Sequence, residues 1–231
     1  MFVRFSHLFS VVSAFIVLTN CGGGDSDSGG DNNLISKLVL SDENITVNES
    51  MGSVTFNGGK TLAINVGIGS GAFHFRDDTV NEFYSVTDRG PNIDCSDSKA
   101  IVGIADFCIN NGQVDKEGKI FTHPDFRPTI YKIHFTTSGV AGVTPGYDIL
   151  STITLTNKNG DPLRGLPNPL QTTTTENAYN SNGNKLSFDP ESVDTEAIIK
   201  LSDGTFWLTD EYAPSLLHVA ANGRILERLV P

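Results

Sequence analysis

Gly204-Thr205-Phe206-Trp207-Leu208-Thr209-Asp210-Glu211-Tyr212-Ala213-Pro214-Ser215-Leu216-Leu217-His218-Val219-Ala220-Ala221-Asn222-Gly223 reads as two strands joined by a short turn. Aromatic and aliphatic residues before Asp210 suit a pleated, half-buried surface, while Pro214 and Asn222-Gly223 are turn formers. In extended backbone Phe206, Leu208 and Asp210 share one face, and Trp207, Thr209 and Glu211 the other. No window longer than about ten residues keeps a helical period anywhere in the chain.

The pattern occurs twice. Glu82-Phe83-Tyr84-Ser85-Val86-Thr87-Asp88-Arg89-Gly90-Pro91 also ends an aromatic strand in Thr-Asp before a proline turn. Its second strand, Pro128-Thr129-Ile130-Tyr131-Lys132-Ile133-His134-Phe135-Thr136, follows an insertion at 92–127. Asp88 and Asp210 lie 122 residues apart, room for two to three units of roughly 40–50 residues. Further strands are expected at Leu34–Leu40, Ile45–Val47, Ser53–Phe56 and Leu62–Val66. A four-stranded unit has two apolar faces and must stack on neighbours. The sequence therefore predicts an all-β, β-propeller-like fold over residues 34–231, incomplete at its C-terminal end.

Residues 1–20 are set apart from that fold. A short cationic start at Arg4 precedes an apolar run, Leu8–Leu18, of signal-peptide length. Leu18-Thr19-Asn20-Cys21 resembles a bacterial lipobox, which makes Cys21 the expected lipidation site. Residues 21–33, rich in Gly, Ser and Asp, read as a flexible tether. These features predict a lipid-anchored protein of the cell envelope, in the periplasm or at the outer membrane, touching membrane through its anchor only. In an oxidising compartment Cys95 and Cys108 are expected to pair, closing a loop worth on the order of 3 kcal/mol.

The formal net charge is −11 over 231 residues. Such a surface repels phosphate backbones and argues against nucleic acid as a partner. It attracts divalent cations. Oligomeric state has no signature in the sequence. Gly67-Ile68-Gly69-Ser70-Gly71-Ala72 fits a loose dinucleotide-binding pattern, but Phe73-His74-Phe75-Arg76 alternates like a strand where that motif needs a helix. The histidines His74, His123, His134 and His218 have no metal-ligand spacing, and no serine triad can be assembled.

Thr87-Asp88-Arg89-Gly90-Pro91-Asn92, Asp161–Pro167, Asp189-Pro190-Glu191-Ser192-Val193-Asp194-Thr195-Glu196-Ala197-Ile198 and Asp203–Ser215 resemble the phytase-like family, described by its esterase-like activity. The resemblance spans roughly residues 60–231 and implies a β-propeller outside the cytoplasm that hydrolyses an ester or phosphoester. On that basis Asp88, Arg89, Glu196, Asp210 and Glu211 are the candidate catalytic residues. Asp194, Glu196, Asp210 and Glu211 are the candidate metal ligands. Several carboxylates in one cleft repel one another, which a hard cation such as calcium relieves. Bound there, it would polarise an ester oxygen and acidify a water, and Arg89 would meet a small anionic or ester substrate. Two plainer readings stand beside this one. A strand-end Asp commonly caps its own turn, and Arg89–Glu211 could be a structural ion pair. The whole could equally be a non-catalytic propeller that binds a ligand or an envelope partner.

Overall fold

The computed structural model describes residues 45–136, 145–169 and 175–231. The predicted signal peptide, the tether, Cys21 and the expected strand Leu34–Leu40 lie outside those residues. In chain order the strands are β1 (Asn48–Thr55), β2 (Thr61–Gly67), β3 (Gly71–Phe73), β4 (Glu82–Val86), β5 (Asn92–Asp94), β6 (Ile109–Asn110), β7 (Gln113–Val114) and β8 (Lys119–Phe121). They continue with β9 (Thr129–Thr136), β10 (Gly146–Thr154), β11 (Ala178–Tyr179), β12 (Thr195–Lys200), β13 (Phe206–Asp210), β14 (Ser215–Val219) and β15 (Ile225–Leu229). A four-residue helix, α1 (Ser98–Ile101), lies in the 92–127 insertion and not between the two repeat copies.

Two four-stranded antiparallel sheets carry the repeat, ordered β3-β4-β9-β10 and β12-β13-β14-β15. The second strand pairs with the third in each, β4 with β9 and β13 with β14. The expected Thr-Asp hairpins are therefore the central pairs of two equivalent sheets. Those sheets are neighbours. Their facing surfaces share one core, including Tyr84, Val86 and Ile130 from the first and Ile198, Phe206, Leu208, Leu217 and Val219 from the second. The 122-residue spacing thus spans one step between adjacent sheets, because the insertion and the stretches 155–169 and 175–194 run outside both.

The other face of the first sheet packs Tyr131 and Ile133 with Ile68 and Val47, beside the β1–β2 pair. A two-strand expectation changes here. Ser53–Phe56 is the end of the longer strand β1, which a bulge between Ser50 and Ser53 bends, and Ile45–Val47 is not a strand. The insertion supplies β5 and β8 of a small sheet, β5-β8-β11, whose third strand comes from 178–179, over a core of Phe56, Ile93, Val102, Phe107, Ile120 and Tyr179. Cys95 and Cys108 form the expected disulfide inside it. The fold is all-β and, among the described residues, no sheet closes on itself, which is compatible with an incomplete propeller-like architecture.

Edge strands β3 and β12 meet closely. A Cβ on Gly71 would stand 2.8 Å from the Ala197 Cα, so only glycine permits that approach. This contact, with the Thr195 hydroxyl donating to the Thr87 carbonyl at 2.6 Å, locks the two Thr-Asp ends side by side.

Candidate functional site

The end of the first copy turns on Asp88, whose carboxylate accepts the Gly90 N–H at 2.8 Å. Gly90 takes φ +91°, and a side chain there would strike the Phe126 ring. That turn aims the Arg89 N–H at Asp194 Oδ1, 3.0 Å away. Asp194 sits one residue before β12 and is 1% exposed. The end of the second copy holds it from the other side, since Asp210 Oδ1 accepts the Asp194 N–H at 2.9 Å.

Asp210 is spent on this framework. Its Oδ1 also accepts the Tyr212 N–H at 3.2 Å, and its Oδ2 accepts the Ser215 hydroxyl and faces Arg228 Nη2, both at 3.3 Å. Burial pushes its pKa up, against the pull of the Asp194 N–H and Arg228. It braces the site and stands apart from the carboxylates that converge on one point.

Three carboxylates do converge. One oxygen each from Asp194, Glu196 and Glu211 lies within 4.8 Å of the others. Two oxygens on one calcium, each about 2.3–2.6 Å from it, can be at most about that far apart. A bulge in the β12–β13 pairing between Thr195 and Ala197 takes Glu196 out of the ladder. Bulges of this kind re-aim side chains; Glu196 Oε2 here accepts the Ser70 hydroxyl at 2.8 Å. Glu211 is exposed.

Arg89 is the cation beside them. Its Nη1 donates to Glu176 Oε1 and to the Tyr212 hydroxyl, each at 3.0 Å, and its guanidinium lies 5.2 Å from the centre of the Tyr212 ring. Tyr212 donates in turn to Glu176 at 2.7 Å. The ion pair weighed from the sequence, Arg89–Glu211, is not the one formed; Arg89 pairs with Asp194 and Glu176. Its side chain is 19% exposed. Burial works against its charge, but Asp194, Tyr212 and Glu176 more than offset that and hold it firmly protonated.

One consequence concerns Asp194 Oδ2. Arg89 Nη1 stands 3.0 Å away, yet both N–H groups on that nitrogen are directed to Glu176 and Tyr212. Asp194 Oδ2 is therefore buried beside a positive charge but without a hydrogen bond. Burial, with the nearby charges of Asp88 and Glu196, pushes the Asp194 pKa up to about 7 despite Arg89. Glu196 is raised too, by burial and by Glu211 and Asp88, against the Ser70 hydrogen bond. Excess negative charge with an orphaned buried oxygen suits a hard, oxygen-seeking cation. No histidine or cysteine joins the group, so zinc is a poor match.

Asp88, Arg89, Asp194, Glu196, Asp210 and Glu211 are thus brought together where the strand ends of the two sheets meet. Glu176, Ser70 and Arg228 were not singled out from the sequence. Glu176 stands in an irregular Thr-rich stretch with no periodicity to mark it, and Ser70 in a glycine turn. Tyr212 could have been found, since it lies in the acid-Tyr-x-Pro run. A cleft of about 550 Å³ bordered by Met51, His123, Phe126 and Arg127 is separate from the three-carboxylate cluster.

A family model for phytase-like proteins, described as esterase-like activity of phytase, matches residues 111–231, just over half the chain. No curated protein and no solved structure matches. The matched span holds Asp194, Glu196, Asp210, Glu211 and Tyr212, while Asp88 and Arg89 come from the copy before it. By that match the chain belongs to the phytase-like family, which is described by an esterase-like activity.

Proposed function

We propose that the chain is a hydrolase of carboxylic or phosphoric esters, working outside the cytoplasm and assisted by a divalent cation, calcium by preference. The observation that carries this is the buried, hydrogen-bond-free Asp194 Oδ2 set among Glu196 and Glu211. These three carboxylates would hold the cation. When bound, it polarises an ester oxygen and lowers the pKa of a water. Arg89, Tyr212 and Asp210 fix the position of Asp194, and Ser70 fixes Glu196. Arg89 is already paired with two carboxylates, so it serves as a positioning residue and not as the anchor of an anionic substrate. A small ester or phosphate group would approach from the solvent side, past Glu211.

The compartment is part of the proposal. The Cys95–Cys108 disulfide supports an oxidising one, in line with the signal-peptide and lipobox features around Cys21.

Hydrolysis of 4-nitrophenyl acetate and 4-nitrophenyl phosphate, with added calcium and with chelator, tests the reading. Glu196→Gln and Glu211→Gln are expected to lower kcat/KM at least about a hundredfold, in line with the loss of one electrostatic stabiliser. Turnover indifferent to chelator and to both substitutions would sink it. The competing reading, a non-catalytic binding protein, draws on the exposed setting of Glu211; it predicts a copurified ligand that survives chelation.

A further inference from the structure

Strand β12 begins beside the acidic cluster and ends at Lys200, six residues after Asp194. At about 3.3 Å per residue that places Lys200 roughly 20 Å from the cluster, at the opposite end of the sheet. There a concavity of about 320 Å³ is bordered by Phe73, His74, Phe75, Arg76, Lys200 and Ser202, and no carboxylate lines it.

The charges around it can be followed one by one. Lys132, which also approaches the Tyr84 ring, is spent on Asp78 at 2.7 Å and Glu82 at 2.6 Å, a triad that keeps one negative charge over. Arg76 has only the loose, exposed contact to Asp77 at 3.6 Å, which water screens. Asp203 turns its carboxylate back on the Thr205 N–H and hydroxyl. His74 Nδ1 is engaged with the Glu82 carbonyl at 2.8 Å. Lys200 is different. It donates to the Tyr84 hydroxyl at 2.6 Å and lies 4.4 and 4.8 Å from the Tyr84 and Phe75 ring centres, and none of the described ion pairs includes it. An ammonium has three N–H donors. Tyr84 takes one and the two ring faces share in the charge, so the ammonium keeps donor capacity for a ligand.

The geometry points to an anion-binding pocket at this end of the molecule. Lys200 is its fixed cation, Arg76 an exposed second one, and Phe73 and Phe75 a wall for an apolar body. The ligand class is a small organic anion, a phosphate monoester or carboxylate carrying an aryl or alkyl group. The overall acidic surface repels anions, so binding here must come from these local groups and should strengthen as salt screens that repulsion.

Phenylphosphonate, which resembles a phosphate monoester but has no ester bond to cleave, is titrated into the 231-residue chain in chelator; backbone amide shifts then test this without reference to hydrolysis. Saturable shifts are expected at Phe75, Arg76, Lys200 and Ser202. Lys200→Met, which keeps the stem, should weaken binding about tenfold or more, and Arg76→Ala less, while Glu196→Gln leaves it unchanged. Shifts confined to Glu196 and Glu211, no binding at about 10 mM, or a Lys200→Met variant that binds as well as the parent would overturn the pocket. Equal affinity for inorganic phosphate would overturn the role of the aromatic wall.

Discussion

Asp194 and Asp210 are both buried acids, yet their surroundings give them different work. Asp210 is held by two backbone N–H groups, a hydroxyl and Arg228. Asp210→Ala strips those partners and leaves Arg228 without its charge partner, so denaturant unfolding should register a loss of about 3–5 kcal/mol. Asp194 has one oxygen unbonded and a pKa pushed up to about 7. Its folded pKa exceeds the unfolded one, so the folded state binds more protons between about pH 4 and 7. Its contribution to stability is therefore fully present below about pH 4 and lost as pH rises through 7. In chelator, melting temperature should decline over that window, and Asp194→Asn should flatten the decline. An unchanged slope in the variant would place the proton elsewhere.

At the scale of elements, the strand alternation makes a sharp contrast between neighbours. Leu217 is fully buried in the core between the two four-stranded sheets, whereas Leu216, on the reverse face, is 47% exposed. Leu217→Ala should cost about 2–5 kcal/mol in chemical denaturation, and Leu216→Ala under about 1 kcal/mol. Similar losses for both would mean that the sheet is flipped in register. The β3–β12 approach makes its own demand. Gly71→Ala pushes a methyl into the Ala197 backbone, and overpacking of that kind costs about 1–3 kcal/mol. Because this contact seats Ser70 against Glu196, the variant should also weaken calcium binding, as calorimetry would detect.

Across the whole molecule, the formal charge of −11 sets a background against which specific cation binding must be judged. Any salt screens self-repulsion and raises stability somewhat. A cation held by Asp194, Glu196 and Glu211 adds a term that follows its own saturation curve. Millimolar calcium should therefore raise the melting temperature more than sodium chloride of equal ionic strength, and Glu196→Gln should erase the difference. Equal effects of the two salts would argue for screening alone.

Strand alternation, turn residues and a doubled Thr-Asp ending made the all-β architecture, the two central hairpins and the cysteine pair legible in the amino-acid sequence, because each rests on neighbours in the chain. The same pattern marked Asp88, Asp210 and Glu211, and the family resemblance added Asp194 and Glu196. What each acid does was beyond its reach. Glu176 and Arg228 join through contacts 87 and 18 residues away, to Arg89 and Asp210. Only the stacking of one sheet on the next separated Asp210, saturated with hydrogen bonds, from Asp194, buried with an oxygen left over. Burial and partner geometry are properties of the packed chain, and they set the charge state and cation affinity that residue types alone leave open.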